Sequence, residues 1–257
     1  MKTAAIIFFL PFFLLCLFSC DRRESKGLPT LTDVYYHMEE DFYLVIEYAK
    51  DLASSDREMD IIFLTKKPLK SLKLNHITIP INGYDYLESS GAFCYSFDLW
   101  EFDTSVIGSY DLDLVYHIEY EDETISGVQR IPSQYFCDVP ALMQDQDFSV
   151  SWSLAHNPRD QKLMFTAEDL HALIVKDDIA LKPSARSHTI KKSLWEDLPS
   201  IHQYSLTLLA SNYSYTHGGL VWLISSASKQ NSDSPKGRDS AMQRILDLLR
   251  NQIQLPG

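Results

Sequence analysis

The 257-residue chain carries 35 acidic against 23 basic side chains, a formal charge of −12 at pH 7. That balance disfavours nucleic acid and anionic lipid headgroups, whose phosphates need basic partners, and basic runs are limited to short pairs such as Arg22-Arg23 and Lys66-Lys67. With 14 tyrosines and 13 phenylalanines against 9 glycines, the composition is that of a folded, β-rich chain and not a disordered one.

The first element is an apolar run over residues 4–18, behind Lys2 and interrupted by Pro11. A spanning helix needs about 20 apolar residues, whereas a short apolar core with a basic flank and a small residue before the cut describes a secretory signal. The run ends in Leu17-Phe18-Ser19-Cys20, which resembles the lipobox of bacterial lipoproteins. Phe18 departs from the small or β-branched residue usual there. The resemblance implies cleavage after Ser19, with residues 1–19 as the signal peptide, and palmitate-type acylation of the Cys20 thiol. The membrane partner would be held through that lipid, on the cell membrane or the outer membrane. Two or more chains give stable attachment where one is marginal. A cleaved signal with an incidental Cys20 is the alternative.

Residues 20–29, polar with Gly27 and Pro29, read as a tether. The rest of the chain is long enough for two domains of ordinary size. From residue 30 the hydrophobic period is mostly two. "DFYLVIEYA", "MDIIFLT", "LNHITIPI" and "FCYSFDLWEF" are strand candidates, separated by turn-rich stretches that include "NGYDYLESSG". In "YDLDLVYHIEY", Tyr110, Leu112, Leu114, Tyr116, Ile118 and Tyr120 alternate with polar positions, the mark of a strand with one buried face. "EDETISG" reads as a turn and "VQRIP" as the return strand. Residues 30–136 are therefore expected to form one β-sandwich.

Residues 137–228 repeat the plan. "DFSVSWSLAH" alternates Phe148, Val150, Trp152 and Leu154 against polar positions. "KLMFTA", "HTIKKSLWEDL", "HQYSLTLLASN" and "GGLVWLISSAS" come next, with "YSYTHGG" closing the last hairpin. Tyrosines stand two residues before a leucine at the start of each closing hairpin, Tyr110/Leu112 and Tyr204/Leu206. This resembles immunoglobulin-like and fibronectin type III-like sandwiches, in which such a tyrosine ties back to upstream backbone. The expected fold is all-β: two tandem sandwiches of that kind with a short C-terminal amphipathic helix. In residues 229–257, a polar linker precedes a helix opened by Ser240, with Gln243 placed for a capping box. Met242, Ile245, Leu246, Leu249 and Ile253 form its apolar stripe.

The chemistry-bearing motifs are few. There is no G-x-S-x-G elbow, phosphate-cradling glycine loop, H-E-x-x-H or zinc-spaced cysteine pair, so no cofactor, metal ligand or catalytic residue is assigned. Cys94 and Cys137 are the cysteines available for a disulfide outside the cytosol. A bridge would contribute about 3–4 kcal/mol in the chain-entropy model, and two buried free thiols are the alternative. Asp111, Asp113, His117 and Glu119 share a wet strand face with Glu121, Asp122 and Glu123 at its turn. A calcium shell needs six to eight converging oxygens, so a solvated acidic face is the preferred reading. Trp100, Trp152, Trp195 and Trp222 could form a sugar-binding platform, but core packing suits their apolar neighbours better. Ser, His and Asp in "SARSHTIKK" and "NYSYTHGG" lack any spacing that joins them into a triad. The functional expectation is a lipid-anchored envelope protein acting by binding or assembly, with a protein or glycan partner at "NGYDYLESSG" or "NYSYTHGG". The alternative is a hydrolase or carbohydrate-binding accessory protein with its site on the sandwich loops.

Overall fold

A computed structural model describes residues 38–52, 57–97, 108–170, 174–216 and 218–231. Cys20, the tether, Trp100 and the C-terminal helix candidate lie outside these residues. The first half folds into β1 (Phe42–Asp51), β2 (Arg57–Thr65), β3 (Ser71–Leu74), β4 (Ile77–Ile79), β5 (Asp85–Leu87), β6 (Ala92–Ser96), β7 (Asp113–Glu119) and β8 (Thr124–Arg130). The second half supplies β9 (Phe136–Asp138), β10 (Phe148–Ser153), β11 (Asp160–Glu168), β12 (Ile174–Leu181), β13 (Ser187–Ile190), β14 (Gln203–Thr216) and β15 (Gly219–Asn231), with one 3-10 turn at Lys192–Leu194. The described chain is nearly all β, as its alternation predicts.

The strands form three sheets. Eight make one sheet in the order β12-β11-β14-β15-β1-β2-β6-β5, and the others form β4-β3-β7-β8 and β13-β10-β9. The large sheet is continuous across the two halves because β1 pairs in parallel with β15, Leu44 beside Val221 and Ile46 beside Leu223. Two side-by-side sandwiches thus share one sheet, where the sequence pattern alone suggests a simple tandem. The expected boundary between residues 136 and 137 falls inside β9.

Both cores lie on the same face of the shared sheet. Leu44, Ile46, Ile61 and Phe63 pack against Leu72, Leu74, Leu114, Tyr116 and Ile118 of the four-stranded sheet. Phe165, Leu163, Leu206 and Leu208 pack against Phe148, Val150 and Trp152 of the three-stranded one. Val221 and Leu223 of β15 complete the first core, while Ala227 of the same strand enters the second. β15 therefore belongs to both.

Local differences from the expected strands have local causes. "LNHITIPI" is two strands, because Asn75 turns the chain at φ 54° between β3 and β4; asparagine tolerates the left-handed region better than most residues. "EDETISG" is mostly strand, since β8 begins at Thr124. Its Gly127 lies opposite Tyr116, and any Cβ there would run into the tyrosine ring. β12, with Asp177 and Asp178, is an outer strand that the hydrophobic alternation does not reveal; charge on an edge strand discourages pairing with another chain.

Candidate functional site

Cys94 and Cys137 are both free. Cys94 sits in β6 with the cluster on the face opposite the two cores, while Cys137 in β9 packs against the second core. Burial pushes the Cys94 thiol up to about 12 and the Cys137 thiol up to about 11. Neither has the lowered pKa of a reactive thiolate.

Two lysines pair with Glu119 of the acidic strand face and with Asp122 and Glu123 at its turn. Lys67 reaches Asp122 at 3.1 Å and Glu123 at 3.2 Å, and Lys70 reaches Glu119 at 2.6 Å. Hydrogen bonds from these lysines hold the Glu119 and Asp122 carboxyls below their ordinary values. His117 Nδ1 pairs with Ser126 Oγ at 2.7 Å. Among the described residues, no three His, Cys, Asp or Glu side chains are grouped so as to hold a metal ion.

One Ser-Asp-His set does assemble, at the junction of the halves. Asp111, at φ 64°, accepts a hydrogen bond from Ser133 Oγ and engages His156 Nδ1 at 2.9 Å through the same carboxylate oxygen; Ser133 Oγ in turn accepts the His156 backbone N–H at 2.9 Å. In a hydrolytic triad the histidine stands between serine and carboxylate and takes the serine proton. Here the serine is buried and its hydroxyl donates a hydrogen bond to the carboxylate instead. The set works as a clasp between the turn before β7 and the β10–β11 turn. Arg186, from "SARSHTIKK", is likewise occupied structurally, donating to Pro183 O, Ala185 O and Asn157 Oδ1.

Trp152 and Trp195 are buried in the second core, and Trp222 packs on the opposite face of the shared sheet. Trp152 Nε1 donates to Gln161 Oε1 at 3.1 Å, and Trp195 Nε1 to Gln144 O at 3.1 Å. The described tryptophans are packing residues, not a platform. "NYSYTHGG" is not a loop for most of its length. Asn212–Thr216 continue β14, and Tyr213 is buried with the Arg159 guanidinium 4.1 Å over its ring.

A pair of exposed aromatics lies elsewhere, at the outer end of the shared sheet. Tyr84 and Tyr86 in "NGYDYLESSG" are 57 % and 55 % exposed. Two residues apart in extended chain, they point to one side, and β5 sets Tyr86 opposite Phe93 of β6. Both rings meet Phe93 edge-on, at centroid distances of 5.0 and 5.2 Å. Tyr84 also contacts Tyr95 at 5.8 Å, and that ring leads through Phe63 to Phe42 in the first core. The Leu69 N–H donates to Tyr95 Oη at 2.7 Å, fixing the base of the patch. Glu88, just past β5, is exposed, while Asp85 stands between the two tyrosines and faces the other side of the sheet, opposite Cys94. Such a patch can stack on a flat apolar surface while its phenol oxygens accept hydrogen bonds. The sequence names the loop; only the pairing of β5 with β6 shows that Phe93 backs it. The readable signal is the Asn82-Gly83 turn with Tyr-x-Tyr directly after it.

No protein-family model matches the chain, and no curated protein matches it. A search of solved structures finds similarity to a tetra-tandem repeat in the extending region of a large adhesion protein. The identity is 13 %, with 75 % of this chain and 50 % of that one covered and a TM-score of 0.22. This chain spans half the length of that structure, and at such a score the likeness assigns neither fold nor role. Among the described residues no helix is long and apolar enough to cross a membrane.

Proposed function

We propose that this protein is a lipid-anchored component of the bacterial cell envelope that acts by binding, with the Tyr84–Phe93–Tyr86 patch as its recognition surface and a neutral glycan as the ligand class. The finer fold assignment rests on strand order. In the first half β1-β2-β6-β5 faces β4-β3-β7-β8, the arrangement A-B-E-D against C′-C-F-G of immunoglobulin-like domains. In the second, β9-β10-β13 faces β12-β11-β14-β15, the corresponding A-B-E against C′-C-F-G of fibronectin type III-like domains. Anchoring through acylated Cys20 rests on the Leu17–Cys20 motif.

The observation that carries the binding role is the pair of half-exposed tyrosines on a hairpin made rigid by the core aromatics. The C–H face of a pyranose fits an aromatic ring, the two phenol hydroxyls suit the hydroxyls of a sugar, and the exposed Glu88 just past β5 opposes anionic ligands. Purified chain assayed on an array of neutral and acidic glycans is expected to bind neutral members. Tyr84→Ala with Tyr86→Ala is expected to weaken that binding at least ten-fold with an unchanged melting temperature. Absence of glycan binding by the wild type, or equal binding by the variant, contradicts the reading. Metabolic labelling with a palmitate analogue tests the anchor separately: wild type labels and Cys20→Ala does not, and equal labelling removes the lipid claim.

A further inference from the structure

The connection from β4 to β5, residues 80–84, carries the chain from the four-stranded sheet to the outer strand of the shared one. It is anchored on both sides of its middle. Ile81 packs against the first core, and Tyr84 rests on Phe93 and Tyr95 at centroid distances of 5.0 and 5.8 Å. Between these anchors stand Asn82 and Gly83, both exposed. Among the described residues neither makes a hydrogen bond. Gly83 has φ 148°, a conformation open to glycine, and a Cβ there would meet nothing within 4 Å. The Asn82 side chain is therefore free to rotate, and the space beside the Gly83 nitrogen is open to water.

Asparagine is among the thermolabile residues, because its side-chain amide carbon lies within reach of the next main-chain nitrogen. Attack is easiest where that nitrogen belongs to glycine and its N–H is unbonded. Asn75, Asn157 and Asn212 lack these conditions. Asn157 accepts from Arg186 Nη2 at 2.6 Å, and the nitrogen after it belongs to Pro158, which has no hydrogen to lose. Asn212 lies inside β14, accepting from the Arg159 N–H and donating to Arg130 O, each at 3.0 Å. Asn75 accepts from the Val115 N–H at 3.0 Å and precedes His76.

We propose that Asn82 is a spontaneous modification site that deamidates through a succinimide, and that its isoaspartate product unseats Tyr84 from Phe93. The Gly83 nitrogen loses its proton to hydroxide, bonds to Asn82 Cγ and expels the side-chain nitrogen, which leaves as ammonia after taking a proton from water. A second water then opens the ring. Addition at Cγ gives aspartate, and addition at the main-chain carbonyl carbon of residue 82 gives isoaspartate, whose main chain runs through Cβ and Cγ. That route adds one carbon–carbon bond, about 1.5 Å, between Ile81 and Tyr84. Ile81 is held in the core and Tyr86 by the pairing of β5 with β6, whereas Tyr84 is 57 % exposed; Tyr84 is the anchor that yields. The modification stands apart from the glycan-binding reading, and only its effect on binding rests on that reading.

The test uses the full chain, aged in heavy-oxygen water at neutral and at mildly alkaline pH. Peptide mass spectrometry is expected to show Asn82 taking up heavy oxygen at least ten-fold faster than Asn75, Asn157 or Asn212, faster at the higher pH, with isoaspartate the larger product. Aged protein separated by ion exchange is compared with Asn82→Asp, which gains the charge without the added carbon. Hydroxyl-radical labelling of Phe93 is expected to be at least two-fold higher in the isoaspartate form, and its binding of neutral glycan weaker. Conversion at Asn82 no faster than at the other three, or aspartate as the sole product, overturns the modification. Equal labelling of Phe93 in the two forms overturns the unseating of Tyr84. Should fresh protein bind no glycan, the glycan-binding reading falls, and the mass and labelling results still decide this one.

Discussion

Leu223 lies in β15, near the end of the described chain, yet its side chain is wholly buried in the core of the first sandwich beside Ile46. Leu223→Ala removes a buried isobutyl group from a strand that both cores share. Leucine-to-alanine changes at fully buried sites cost about 2.7–5 kcal/mol, and about 3 kcal/mol is expected here, since a central strand can collapse little toward the cavity. For a unit of this size each kcal/mol lowers Tm by about 2–4 °C, so the melting point should fall by about 6–12 °C. Differential scanning calorimetry also reads cooperativity. If about 190 residues melt together, the van't Hoff enthalpy is near 130 kcal/mol and equals the calorimetric value; two independent sandwiches would each give about half. The shared sheet predicts one transition that moves as a whole. Two transitions, with the variant shifting only one of them, would refute the reasoning.

Three further outcomes rest on the same packing. Gly127→Val pushes a side chain into the Tyr116 ring and should lower stability by about 1–3 kcal/mol in urea titration; an unchanged midpoint would mean that the ring can swing away. Gln161 accepts from both Tyr135 Oη and Trp152 Nε1 while donating to the Lys182, Pro183 and Ala185 carbonyls, so Gln161→Leu strands two buried donors and should cost about 2–5 kcal/mol. Glu119 and Asp122 have pKa values lowered mainly by hydrogen bonds from Lys70 and Lys67. Their contribution is present above the unfolded carboxylate values, about 4, and is lost as pH falls through the lower folded ones. The gap in urea midpoint between wild type and Lys67→Ala/Lys70→Ala should accordingly be widest above about pH 4.5, narrow as the pH falls below the unfolded carboxylate values, and shrink with added salt; parallel curves across that range would contradict the pairing.

The strands with the strictest alternation, β7 and β10, are legible because one face is buried and the other wet. The long hairpin β14–β15 is legible for a different reason: its apolar runs flank a glycine turn. β5, β9 and β12 are not, since the first two have only three residues each and the third carries its charges on an edge. The pairing of β1 with β15 is not legible at all. It joins opposite ends of the described chain in parallel, and neither strand's residues encode a partner that no local turn supplies. Tyr84 and Tyr86 are visible as loop tyrosines, but their exposure depends on β5 being the last strand of the eight. Tyr213 and Tyr215 of "NYSYTHGG" have similar neighbours in sequence and a different fate, the first buried and the second half-buried, because β14 runs through the middle of the sheet. Serine, aspartate and histidine in separate turns give no hint of the Ser133–Asp111–His156 clasp, which forms only once the two halves are joined.

The parallel register of β1 and β15 tests the shared sheet most directly. Asp51 is opposite Ser228, both half-buried at the strand ends, so Asp51→Cys with Ser228→Cys should form a disulfide under mild oxidation, read by mass spectrometry of the linked peptides. Moving the second cysteine two residues on, to Gln230, puts the pair beyond the roughly 7 Å that a disulfide can bridge and should leave both thiols free. Bridging at 51–230 in preference to 51–228, or no bridging in either variant, would contradict a single sheet running through both halves.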